Sequence, residues 1–175
     1  MRNMEKSFSK MGFTLIELLI VIALLGALAV GMLAAIDPLE QFKKGNDTST
    51  RNTVEELYNG FVRYYALKTE FPWGATSFDQ TTAYDASGFV QSVIDVGELK
   101  SDFNELAGSA RLTDITIVST SATGENVAVC FAPESKSFRQ DGNTRYDISG
   151  NAYTDPETEC LGYTTGGATC YWCVK

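Results

Sequence analysis

From Phe13 to Ile36 the chain runs for 24 residues with a single charge, Glu17, and this feature limits its possible folds more than any other. As an α-helix the run rises about 36 Å, enough to cross a hydrocarbon core of about 30 Å with some tilt. A helix apolar on all sides has to be covered by lipid or by other protein. A carboxylate inside it costs about 3 kcal/mol near a bilayer centre and less toward an end, so such a residue usually marks function.

Upstream, Arg2, Lys6 and Lys10 outweigh Glu5, which predicts a cytoplasmic N-terminus and a C-terminal body outside the cytoplasm. A basic head, an apolar stretch and a small-residue site at Ala27-Leu28-Ala29 also fit a cleavable secretory signal. A soluble protein released after Ala29 is therefore one alternative, and a membrane-anchored exported binding domain that never polymerises is another. A cleavable signal, however, has no use for the carboxylate of Glu17.

The order Gly12-Phe13-Thr14-Leu15-Ile16-Glu17-Leu18-Leu19-Ile20-Val21-Ile22-Ala23 sets a small residue before the apolar segment and an acid within it. This stretch resembles the class III leader of type IV pilins and type II secretion pseudopilins, in which a dedicated peptidase cuts after the glycine and methylates the new N-terminus. The resemblance implies cleavage between Gly12 and Phe13, N-methylation of Phe13, and a role for Glu17 in guiding assembly. Physical chemistry fits these roles. Cutting before Phe13 creates an α-amino cation whose charge survives methylation. Helix positions i and i+4 lie about 6 Å apart, so Glu17 can pair with its own amine or with that of a neighbouring subunit, which would set a register.

The remaining chain reads as a small exported body. Removing residues 1–12 leaves 163 of 175 residues, a length suited to one domain. The net charge is −8, and since the leader carries +2 the processed chain carries −8 − 2 = −10. An acidic surface argues against a fibre body that binds nucleic acid through phosphates.

Asp37-Pro38 predicts a kink or restart, because proline lacks an N–H and disfavours helical geometry in the residue before it. A second helix follows from Leu39, polar from Gln41 to Asn52. From Thr50 or Thr53 onward Val54, Leu57, Tyr58, Phe61, Tyr65 and the Lys68 stem recur at three- and four-residue spacing, which predicts one face packed on a sheet. Pro72 and Gly74 end it. In pseudopilins and small pilins a Leu- and Tyr-rich helix also ends in a turn with an aromatic residue and a proline, so the resemblance extends to about Trp73.

Residues 75–107 are polar, with a short helix expected over Gly88–Val96. Strands are expected at Leu112–Val118, Asn126–Ala132 and Lys136–Arg139, the last two forming a hairpin through Pro133-Glu134-Ser135, and a fourth at Tyr146–Ile148. Such a sheet is antiparallel, with one face on the helix and the other toward water. The expected fold class is α+β and, by resemblance, pilin-like: a long N-terminal helix, its first half membrane-spanning, packed on a small antiparallel sheet with a stapled tail. The segments are then a leader (1–12), an assembly helix (13–36), its amphipathic continuation (37–73) and a globular region (74–175).

All four cysteines, Cys130, Cys160, Cys170 and Cys173, lie in the exported region, where an even count points to two disulfides with three possible connectivities. Cys170-Tyr171-Trp172-Cys173 has the C-x-x-C spacing of redox and zinc motifs. A redox pair belongs at a helix start after a strand, and a four-thiolate zinc site needs a second knuckle that Cys130 and Cys160, thirty residues apart, do not form. The expectation is that Cys170 and Cys173 each reach back to Cys130 and Cys160, as the C-terminal loops of pilins are often stapled.

Asp141, Asn143 and Asp147 offer oxygens to calcium, with Asp155, Glu157 and Glu159 near in sequence. Arg145 sits at a ligand position and the closing glutamate of an EF-hand is missing, so a solvated turn is the plainer reading and no other cofactor is expected. With no histidine, the commonest general base is absent, and Glu55-Glu56 point to different sides of a helix, so the expectation is not an enzyme. The resemblance implies instead a structural subunit of a type IV pilus or a secretion pseudopilus. Its partners would be like subunits, a prepilin peptidase, the assembly machinery and, before assembly, membrane lipid. Its location would be the cytoplasmic membrane and then an extracellular or periplasmic filament.

Overall fold

The computed structural model describes residues 12–35, 37–74, 80–119, 126–160 and 169–175. They form an α+β protein with an apolar N-terminal helix, a five-stranded antiparallel sheet and two disulfides. In chain order the elements are α1 (Leu15–Ala35), α2 (Pro38–Lys68), β1 (Thr81–Thr82), α3 (Ser87–Asp95), α4 (Phe103–Ala107) and α5 (Ser109–Asp114). There follow β2 (Ile115–Ser119), β3 (Val127–Phe131), α6 (Lys136–Arg139), β4 (Thr144–Tyr146), α7 (Pro156–Glu159) and β5 (Tyr171–Val174). The chain divides into two compact units, Met1–Pro38 and Leu39–Lys175.

The break between α1 and α2 falls where proline chemistry puts it. Asp37 precedes a proline and lies outside both helices. Pro38 takes the first position of α2, where its missing N–H has no partner to lose and its φ is already helical. The polar stretch from Gln41 to Asn52 is helical throughout.

The three-and-four spacing on α2 delivers its face. Val54, Leu57 and Phe61 are fully buried and Tyr58 packs beside them, whereas Tyr65 and Lys68 are exposed. At Gly60 a Cβ would stand 3.0 Å from Leu99 Cγ and 3.3 Å from Val93 Cγ1, so the missing side chain admits both residues against the helix. Arg63 fastens the same segment, donating from Nε to Glu98 Oε2 (2.7 Å) and from Nη2 to the Glu98 carbonyl (2.5 Å).

α2 ends at Thr69, whose φ of 61° lies in the left-handed region that β-branched residues avoid. That conformation costs about 1–2 kcal/mol in a non-glycine residue. It turns the chain so that Phe71 and Trp73 enter the core, stacked at 4.8 Å, with Phe61 and Phe89 edge-on to Trp73 at 5.2 and 5.8 Å. Burying two aromatic side chains contributes about 2–3 kcal/mol each, so packing outweighs the local strain.

The sheet order is β1-β2-β3-β5-β4, antiparallel at every pair. All five residues of central β3 are buried. Val127, Val129 and Phe131 join Ile115, Ile117 and Trp172 in the core with α2. Ala128 and Cys130 point the other way, into a second cluster with Val118, Tyr146 and Cys173. The second face is therefore partly covered, a correction to the sequence expectation of a face turned toward water.

Three strand expectations need correction. Leu112 belongs to α5, buried by a helical turn that follows Gly108 at φ 79°, and the strand starts at Ile115. The fourth strand runs over Thr144–Tyr146, earlier than Tyr146–Ile148. Lys136–Arg139 forms no strand and Pro133-Glu134-Ser135 no hairpin. The segment is the single turn α6, capped by Ser135, whose Oγ accepts from Phe138 N. Its donors are claimed from α2. Buried Asp47 accepts from Glu134 N (3.0 Å), Ser135 N (2.8 Å) and Ser135 Oγ (2.5 Å), and Glu40 accepts from Lys136 N. A helix N-terminus supplied with two carboxylates is more favourable than an edge strand carrying unpaired amides.

Candidate functional site

The expected processing and assembly residues lie at the head of α1. Phe13 is 83% exposed, and every large apolar side chain from Leu15 to Leu33 is exposed as well. The 19 residues Leu15–Leu33 are long and apolar enough to cross a membrane.

Glu17 stands in the first turn of α1. Its Oε2 accepts from Thr14 N at 2.8 Å and from Thr14 Oγ1 at 2.7 Å, and Glu17 N donates back to Thr14 Oγ1 at 3.3 Å. Thr14 thus caps the helix while Glu17, three residues on, returns to the cap residue's own N–H, the reciprocal arrangement of a capping box. Two donors that would otherwise be orphaned at an apolar helix end are satisfied by one carboxylate and one hydroxyl. Both bonds go to Oε2, and among the described residues Oε1 is left open to a further donor. The Phe13 nitrogen here belongs to a peptide bond, and among the described residues Thr14 is the partner of the Glu17 carboxylate. Thr14 is a site residue beyond those expected from sequence, although Thr14-Leu15-Ile16-Glu17 is itself the signature of such a box.

The four cysteines pair as Cys130–Cys173 and Cys160–Cys170. Each member of the C-x-x-C motif thus reaches an upstream cysteine rather than its neighbour. Cys130 and Cys173 face each other across the β3–β5 ladder, and Cys173 belongs to a sheet strand, so the C-terminal segment is part of the sheet as well as tied to it.

The acidic segment is occupied with turns. Asp141 Oδ1 accepts from Asn143 N at 2.9 Å. Asp147 accepts from Asn151 N at 2.8 Å and from Asn151 Nδ2 at 3.2 Å. Glu159, the last residue of α7, accepts from the N–H of Asp155, the residue before that helix, at 3.0 Å. Among the described residues no group of three or more acidic, cysteine or histidine side chains is placed to hold a metal ion.

Compared with protein-family models, with curated proteins and with solved structures, the chain matches none of them.

Proposed function

We propose that the chain is a prepilin-type filament subunit with a pilin-like fold, cut between Gly12 and Phe13, methylated on Phe13, and polymerised through α1. The observation that carries this reading is Glu17, a carboxylate at the head of a helix whose other side chains from Leu15 to Leu33 are apolar and exposed on every side. In lipid such a helix is an anchor. Packed among copies of itself it becomes a filament core, in which close helix contact replaces lipid contact and each carboxylate finds a donor.

Cleavage after Gly12 turns the Phe13 nitrogen into a cation four residues from Glu17. The open Oε1 is suited to accept from it, either within one subunit or from the next. The partners of the reading are like subunits, a prepilin peptidase, an assembly machinery and membrane lipid before assembly. The chain would pass from the cytoplasmic membrane to an extracellular or periplasmic filament of pilus or secretion-pseudopilus type, in a structural rather than an enzymatic role. The test is Glu17→Ala in cells that make the filament. The variant should reach the membrane, lose its leader and fail to appear in sheared surface material. Normal filament incorporation of the variant would refute the role of Glu17 and favour a plain membrane anchor.

A further inference from the structure

A cleft of about 650 Å³ opens in the body between α2, α5 and the segment joining β3 to α6. That is within the 300–1,000 Å³ typical of small-ligand sites. Two guanidiniums line it, Arg111 from α5 and Arg139 from α6. Each is half-buried and held by a backbone carbonyl, Arg111 Nη1 on Ala107 (3.2 Å) and Arg139 Nε on Pro133 (3.0 Å). Neither forms an ion pair among the described residues, although the chain holds 22 acidic and 14 basic residues. In a body with surplus carboxylates, two fixed and unpaired guanidinium forks in one cleft are suited to an incoming anion, which each can grip through two parallel N–H groups.

The other lining groups narrow the class. Three carboxylates share the cleft, Asp47 buried and committed to Glu134 N and to Ser135 N and Oγ, Asp114 and Glu134 exposed, so a compact dianion such as phosphate meets repulsion that a singly charged carboxylate meets less. Asn46, Thr50 and Thr116 supply amide and hydroxyl groups, and Tyr171 adds an aromatic ring. Hydroxyls and amides match a polyhydroxylated ligand, and the C–H face of a sugar ring packs on an aromatic one. We propose that this cleft binds an acidic saccharide carrying one carboxylate per sugar, as a uronic acid does. The site lies within the body and does not depend on whether the chain polymerises.

The experiment is calorimetric titration of the full chain, disulfide-bonded and in detergent micelles, with an oligogalacturonate. Neutral malto-oligosaccharide and inorganic phosphate are titrated in parallel. Saturable oligogalacturonate binding with a Kd below about 1 mM is expected, weaker at higher salt and at least ~10-fold tighter than for either comparator. Arg111→Gln and Arg139→Gln should each weaken it ~10-fold or more, and Arg111→Lys should restore part of the loss, as a point charge replaces a fork. Near-UV circular dichroism on each variant separates lost binding from lost fold. No saturable binding by the unsubstituted chain, phosphate binding as tight as the saccharide, or equal affinity in folded Gln variants would each overturn the proposal.

Discussion

Replacing Asp47 by alanine takes three hydrogen bonds from the joint between α2 and α6, and the surroundings of each donor set the cost. Ser135 is fully buried, so its N–H is left without water or protein as partner, at about 1–3 kcal/mol. Its hydroxyl can turn toward Ser137 Oγ, 3.4 Å away, and loses less. Glu134 is exposed and its N–H can be rehydrated. The sum is about 3 kcal/mol, moderated because the variant no longer buries a carboxylate. For a body of this size that lowers Tm by about 10 °C. Glu56→Ala, an exposed carboxylate on the same helix, is the internal control, and its loss should stay within about 1 kcal/mol. The assay is thermal unfolding of the full chain in detergent, followed by near-UV circular dichroism of Trp73 and Trp172. If Asp47→Ala melted within about 2 °C of the parent, or no lower than Glu56→Ala, the assignment of α6 to capping by α2 would be wrong.

Thr69→Gly relieves a left-handed residue at the end of α2 and should raise stability by about 1 kcal/mol, read from a urea midpoint. Gly60→Ala and Gly45→Ala should shift the same midpoint in opposite directions. At Gly45 a Cβ meets open space and gains up to about 1 kcal/mol of helix propensity, while at Gly60 it presses on buried Leu99 and Val93, costing about 1–3 kcal/mol. The disulfides close loops with sequence separations of 43 and 10 residues, worth about 4 and about 3 kcal/mol in chain entropy. Reducing both should therefore unfold the body at 37 °C, whereas survival of its near-UV signal in reductant would contradict that estimate.

What could be read from sequence follows how local the deciding physics is. Val54, Leu57 and Phe61 announce the buried face of α2 because helix periodicity is written into neighbouring residues. Gly97, at φ 85°, marks the end of α3 for the same reason. Lys136-Ser137-Phe138-Arg139 alternates like a strand, yet its conformation follows from Asp47, 88 residues before Ser135, which no local pattern reveals. β5 is not legible locally because three of its four residues fall in the C-x-x-C stretch, which draws attention as a motif, and its place between β3 and β4 is a long-range pairing. At the head of α1 the reverse holds. The capping box of Thr14 and Glu17 was legible from spacing alone, but the apolar context gave Glu17 a single meaning and hid its local one.

The most direct test of the filament account is the intact mass, with N-terminal fragment ions, of the protein recovered from membranes and from sheared surface material. The account predicts a chain that begins at Phe13 and carries one extra methyl group on its amine. A chain beginning near Val30, or one still beginning at Met1, would contradict it.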